Sequence, residues 1–243
     1  MSKNSLKHLK SFLSGIFTYA KQQGFLDGIN PVQDAALPDG AEAEEQHPYT
    51  LEEIEVILAV LPDPAATIFA CASYAGFRRS ELRGLRWEEY KDGELSVKRG
   101  VWESVVGKTK TRKSRAAVPV ITTLQRYLNA WREKCGNPSE GWIFPSERNT
   151  PLNLNNVVNR QIVPALNRCK VCDVPELKHA KAAHTYERSA TLPEWRGWHS
   201  SRRGLGTNLH RLGVSIETVA RILRHAKAST TQEHYVLPNN ADS

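Results

Sequence analysis

Residues 28–48, GINPVQDAALPDGAEAEEQHP, divide the chain. The stretch is rich in proline, alanine and acids and has neither a helical nor a strand period, so it reads as an interdomain linker. It restricts the fold to two separately packed parts, residues 1–27 and a main domain over 49–243. In the first part Leu6, Leu9, Phe12, Leu13, Ile16, Phe17 and Ala20 recur at helical spacing. They predict one helix over 6–25, with Gly24 as its stop. A face this apolar needs something to pack on, so the segment is read as a remnant or edge of another domain.

The main domain is long enough to bury a sizeable core. Thr50-Leu-Glu-Glu53 matches a capping box and opens a helix that Pro62 and Pro64 break. Residues 65–74 read as a buried helix ended by Gly76, and Ser80 is placed to cap a short helix in SELRGLRW. Residues 95–103 and 115–121 alternate apolar with polar, as strands of a small antiparallel sheet joined across a Gly-Lys-Thr-Lys turn. From Thr122 onward the patterns are helical, except over 170–197, where no period is visible. LGVSIETVARILRH, residues 212–225, places two helices around a Gly-Val-Ser turn. The expected class is mostly α with a small antiparallel β-sheet.

Charge narrows the partner. Lys and Arg total 33 against 26 for Asp and Glu, a net charge of +7, with acids crowded into 39–55 and bases into 108–115. Local basic clusters suit a polyanion, nucleic acid above all. No apolar run is long enough to span a membrane, and residues 1–10 lack the apolar stretch of a secretion signal. A cytoplasmic, nucleoid-associated protein with no membrane partner is expected, its four cysteines reduced. Cys71 lies in an apolar helical run and reads as core. Cys169-Lys-Val-Cys172 followed by His179 and His184 has the ligand types of a four-ligand zinc loop, tighter in spacing than the usual finger. Such a metal would brace a loop and do no chemistry; the sequence leaves open whether these residues bind one.

Four stretches carry residues suited to chemistry. In AGFRRSELRGLRW (75–87), Arg78 and Arg79 follow a helix-ending glycine. An arginine at such a corner either pairs with Glu81 at the surface or offers a rigid fork to two phosphate oxygens. KTKTRKSRAAVPV (108–120) is a cationic hairpin tip. It is either a solvated loop or a groove-reaching element, and a lysine in it could protonate a leaving oxygen. In WHSSRRGLGTNLHRLG (198–213), His199 and Arg202 are three apart and share a helical face. HAKASTTQEHYVLPNN (225–240) adds His225 and Tyr235. Two arginines, a lysine, two histidines and a tyrosine, with no acidic triad for divalent metals, suit phosphoryl transfer without a metal. A tyrosine oxygen attacks a phosphodiester while preorganised cations take the developing charge.

In this order the stretches resemble the catalytic domain of the tyrosine recombinases, the phage-integrase family. AGFRRSEL is similar to the family's first box, with Arg78 as its arginine. KTRKSRAAVPV resembles its β-hairpin lysine segment, where counting back from Val118-Pro119 favours Lys110 over Lys108. His199-Ser-Ser-Arg202 resembles the H-x-x-R box, and LRHAKASTTQEHY the last box, with His225 in its histidine or tryptophan position and Tyr235 as nucleophile. The likeness covers about 49–236, and FLSGIFTYAKQQGFLDGINPV resembles the last helix of the family's core-binding domain with its linker. Arg224 stands where the family often has glycine.

The resemblance implies the mostly helical recombinase fold and a site-specific recombinase acting on double-stranded DNA. Arg78 and Arg202 would hold the scissile phosphate, Lys110 would protonate the leaving oxygen, and His199 and His225 would assist. Tyr235 would form a 3′-phosphotyrosine that a 5′ hydroxyl then reverses, with no cofactor, metal or ATP. It further implies a tetramer on DNA, with weak self-association off it. Arg79, Lys108, Arg112, Lys113, Arg115, Arg203 and Lys227 are charge-based candidates for DNA contacts. Two rivals stand beside this reading. One is a non-catalytic DNA-binding regulator using the helix-turn-helix-like segment 212–225. The other is a type IB topoisomerase with similar tyrosine chemistry.

Overall fold

A computed structural model of the protein describes residues 2–38, 47–108 and 117–225. They belong to two compact units, divided between Gln46 and His47.

The first unit is built on α1 (Lys3–Gln22), whose N-terminus is capped by the Ser2 side chain accepting from the Ser5 N–H. The helix starts and stops three residues earlier than its apolar period suggests, because Ser2 supplies a cap that hydrophobic spacing does not register. Residues 28–38 return to this helix. The Asn30 amide donates to the Ser14 carbonyl at 2.8 Å and to the Thr18 hydroxyl at 3.1 Å, and its oxygen accepts from the Val32 N–H.

The second unit is mostly helical. Its helices are α2 (Leu51–Val60), α3 (Ala65–Ala75), α4 (Arg79–Leu82), α5 (Thr122–Lys134), α6 (Leu154–Val157), α7 (Val163–Leu166), α8 (Trp198–Arg211) and α9 (Ile216–Ile222). A π-helical turn, Val158–Ile162, joins α6 to α7. Strands β1 (Tyr90–Lys91), β2 (Glu94–Ser96) and β5 (Ala117–Pro119) form one antiparallel sheet in the order β1-β2-β5. β3 (Arg99–Trp102) and β4 (Val105–Lys108) form a separate hairpin.

The axis of this unit is α3, an apolar helix buried along nearly its whole length and packed against α2, α5 and α8. Gly76 ends it in the left-handed region at φ 61°, and a Cβ there would sit 2.9 Å from a Leu223 methyl. Both the backbone and the packing therefore require glycine. Ile54, Ile57, Phe69, Phe77, Leu82, Leu124 and Phe144 are among the side chains that fill the core around it. A smaller cluster of Val219 and Leu223 against Leu205, Leu209 and Val214 docks α9 on α8. The apolar face of α9 is thus spent on packing within the unit.

Two local expectations are corrected. Ser80 does not cap α4; the cap position is Arg78, whose N–H donates to the Glu81 carboxylate at 2.9 Å. The long strand over 95–103 is broken between β2 and β3, and the chain reverses at Glu103–Ser104, with Glu103 at φ 49°; Gly107 and Lys108 of the expected Gly-Lys-Thr-Lys turn lie in β4, and its Thr109 and Lys110 lie outside the described residues. One predicted sheet becomes two because, among the described residues, β2 pairs with β5 while β3 pairs with β4. Alternation reports which face a side chain takes, not which strand lies next to it.

Candidate active site

The turn from α3 into α4, the β3–β4 hairpin, the start of α6 and the first turn of α8 surround one cleft of about 630 Å³. Arg78, Arg79, Arg83, Asn155 and His199 line it, with Trp102 and Glu103 from the hairpin. Arg78 and His199, which lie far apart in sequence, are therefore brought to one concavity. His199 is exposed on the first turn of α8.

Glu81 holds Arg78 in place. Its carboxylate accepts from the Arg78 backbone N–H and, at 2.8 Å, from the Arg78 guanidinium, about a third of whose side chain stays exposed toward the cleft. The Glu81 Oε2 that takes the Arg78 N–H also accepts from Arg224 at 2.7 Å. Glu81 and Arg224 are both almost fully buried, and the Arg224 guanidinium lies 5.2 Å from the Phe77 ring centre. Arg224 itself sits at φ 55° just past α9, a position that favours glycine, and it reaches back to the Ala75 and Gly76 carbonyls. Burial opposes ionisation of Glu81, but Arg224, the Arg78 N–H and the Arg78 guanidinium outweigh it and hold the carboxyl below its ordinary value. Sequence reading assigned no effect to Arg224. Here it joins the end of α9 to the turn that carries Arg78, and only its departure from glycine at a turn position hinted at this.

Arg202 does not line the cleft. It is buried beneath it, donating from Nη1 to the Gly76 carbonyl and from Nη2 to the Leu223 carbonyl. It ties the residues before Arg78 to those before His225, which is itself half-buried after α9. Among the candidate DNA contacts, Arg79 lines the cleft and donates to the Asn155 side chain at 2.9 Å, and Arg203 is half-buried on α8. Lys108 closes β4. Lys110, Arg112, Lys113, Arg115, Lys227 and Tyr235 lie outside the described residues.

Sequence reading passed over the residues that fix the cleft's walls. Arg83 donates to the Leu152, Val101 and Glu103 carbonyls, pinning the β3–β4 hairpin to α4. Tyr49 does the same for α8. Its hydroxyl donates to the Glu194 carbonyl and accepts from the Arg196 N–H, its carbonyl accepts from Asn208, and burial pushes its phenol above the ordinary value. The Arg196 guanidinium is held by Glu53 in a two-pronged ion pair, so α2 and the entry to α8 are clamped together.

Known proteins share the sequence pattern and the fold of this chain. Residues 49–241 match the sequence profile of the Phage integrase family. A "Tyrosine recombinase XerC-like" protein of Caldanaerobacter subterraneus subsp. tengcongensis is 26% identical over 267 aligned positions, covering 96% of this chain and 62% of its own length. The chain thus spans somewhat under two thirds of that relative. A structure of the Tn1549 transposon integrase in complex with circular intermediate DNA matches with a TM-score of 0.70 at 18% identity, covering 98% of this chain and 76% of that one. A lambda integrase dimer bound to a COC′ core site matches with a TM-score of 0.62 at 17% identity, covering 98% and 75%. With the profile matched over most of its length and the integrase fold in its second unit, the chain belongs to the phage integrase family of tyrosine recombinases.

Proposed function

We propose that this chain cleaves and rejoins duplex DNA site-specifically through a 3′-phosphotyrosine at Tyr235. The observation that carries the reading is the convergence of Arg78 and His199 on one cleft, with Arg202 directly beneath, in a member of this family. The Tn1549 and lambda integrase structures are complexes with DNA, which supports duplex DNA as the partner. The net charge of +7 agrees with a phosphate-binding surface.

In this reading the Tyr235 oxygen attacks phosphorus and the bond to the 5′ oxygen breaks. The phenol proton passes to a neighbouring histidine, and Lys110 gives its proton to the leaving oxygen. Arg78 reaches the non-bridging oxygens from the cleft wall, already oriented by Glu81. Arg202 serves the same phosphate by exchanging carbonyl partners for phosphate oxygens. His199 and His225 hydrogen-bond the phosphoryl group and handle protons. The reverse attack by a 5′ hydroxyl restores the diester, so the bond energy is kept and no nucleotide cofactor enters. Arg79, Lys108, Arg112, Lys113, Arg115, Arg203 and Lys227 contact flanking phosphates. Strand exchange proceeds in a tetramer assembled on DNA at the nucleoid, the chain self-associating weakly without it. No residue of α1 is fully buried, which supports reading the first unit as the end of a core-binding domain joined by a linker.

The test is a nicked suicide duplex carrying a candidate attachment site, incubated with the chain and then denatured. The expected result is a covalent protein–DNA adduct with the native chain and none with Tyr235→Phe. Persistence of the adduct in Tyr235→Phe, or duplex binding with no adduct from a correctly nicked site, overturns the proposal.

A further inference from the structure

Residues 168–190 form a lobe without an apolar core. Only Cys169 and His179 are buried in it, and neither belongs to the hydrophobic clusters of the second unit. Of its apolar side chains, Val171 and Leu177 face solvent at 66% and 76% exposure, and Val174 and Tyr186 are only half-buried. Its regular structure amounts to a six-residue 3₁₀ turn, Glu176–Lys181, and two isolated bridges, Arg168 to Pro175 and Cys169 to Arg188. Its ion pairs, Arg168 with Asp173 and Lys170 with Glu187, are largely exposed and contribute little. A lobe of this size ordered by so little apolar burial needs another staple.

The two buried residues belong to a convergent set. One ligand atom each from Cys169, Cys172, His179 and His184 lies within 4.8 Å of all the others, and no other such group occurs among the described residues. The Cys169 Sγ is 3.3 Å from the His184 Nε2, and the His179 and His184 Nε2 atoms are 3.1 Å apart. A tetrahedral zinc, with Zn–S near about 2.3 Å and Zn–N near about 2.0–2.1 Å, sets its ligand atoms roughly 3.3–3.8 Å apart. Two imidazoles and two thiols whose ligand atoms all fall within 4.8 Å of one another lie close to that geometry. The set is also closed, offering four protein ligands and no fifth position for substrate, which is the structural rather than the catalytic pattern.

We propose that Cys169, Cys172, His179 and His184 bind one structural Zn²⁺ that orders the lobe leading into α8. The segment leaving the lobe reaches α8 through two fixed points. Arg188 donates to the Asn167 side chain and the Leu192 carbonyl, and Arg196 is held by Glu53. Zinc therefore anchors the chain segment that delivers His199, without entering the cleft.

The test uses the full chain expressed in zinc-replete medium and purified under reducing conditions without chelator. Elemental analysis is expected to find one zinc per chain. After zinc removal, Co²⁺ is expected to give the intense visible bands and thiolate charge-transfer absorption of a tetrahedral S₂N₂ site. Cys172→Ser, at an exposed position, should weaken zinc binding in a chelator competition by more than the roughly 10–100-fold that losing an outer-shell partner costs. Cys135→Ser, whose thiol lies outside the set, should leave it unchanged. Hydrogen exchange should rise over 168–188 in the zinc-free chain while α3 stays protected. Zinc well below one per chain together with no thiolate–cobalt band overturns the proposal. So does a Cys169–Cys172 disulfide in the freshly purified protein. Both readings use the native chain and stand even if a variant fails to fold.

Discussion

Truncating Glu81 to alanine should cost the second unit about 3.5–7 kcal/mol, chiefly because it strands a guanidinium that has nowhere else to go. Arg224 is as buried as the carboxylate it pairs with, 2.7 Å away. Breaking a buried ion pair from one side costs about 3–5 kcal/mol, mostly as the uncompensated charge left behind. The remaining partners of Arg224 do not offset this: its bonds to the Ala75 and Gly76 carbonyls are long, at 3.5 and 3.4 Å. Losing the carboxylate that accepts from the Arg78 N–H adds about 0.5–2 kcal/mol at the start of α4. The Arg78 guanidinium itself is a third exposed and contributes little to stability. Against a typical total of about 5–15 kcal/mol, the sum is a large fraction. Urea unfolding followed by tryptophan fluorescence measures it, with the slope unchanged. Replacing both partners by apolar side chains, Glu81→Leu with Arg224→Met, should recover most of the loss. A loss under about 1 kcal/mol for Glu81→Ala, or a double variant no more stable than the single one, would refute the reasoning. The pair also predicts an acid limb. Since the folded-state carboxyl titrates below its unfolded value, its stabilisation is complete above the unfolded value. It is lost as pH falls through the depressed folded one. Glu81→Gln should flatten that limb.

Further outcomes test other joints. Gly204→Ala in α8 should destabilise despite the better helix propensity, because the new Cβ would meet the Tyr49 carbonyl oxygen at 2.6 Å; a raised Tm would contradict this packing. Gly15→Ala in α1 meets nothing within 4 Å and should stabilise that helix by about 0.5–1 kcal/mol, read as slower hydrogen exchange over 3–22. Tyr49→Phe leaves the Glu194 carbonyl and the Arg196 N–H without their partner and should cost about 1–3 kcal/mol in urea unfolding. Phe69→Ala opens a void against Tyr49 and Trp195 and should cost about 3–5 kcal/mol by the same measurement.

Much of the helical frame was legible because helix signals act over a few residues. Pro64 and Gly76 bracket α3, Thr50 and Glu53 open α2, and Ser215 caps α9, each through contacts within one turn. The family boxes were legible for a similar reason, since Arg78 and His199-Ser-Ser-Arg202 are short motifs. Ser80 was misread as a cap because its residue type is right, while the Glu81 carboxylate takes the N–H one turn earlier, at Arg78. Strand pairing was less legible, since alternation over 95–103 is equally compatible with one strand or with β2 and β3 divided between two sheets.

The sequence by itself determined where α2 starts and where α3 begins and ends, which residues could attack or clamp a phosphate, and which four could ligate zinc, because these depend on side-chain chemistry at short separations. Tertiary structure alone decided that Arg224 closes on Glu81 across the α3–α4 turn. It alone decided that Arg202 lies beneath the cleft while Arg78 and His199 line it, and that Cys169, Cys172, His179 and His184 converge. The reason is that a charge or a ligand acts through space. Its partner is chosen by how α3, α8 and α9 pack, and no local pattern encodes that distance.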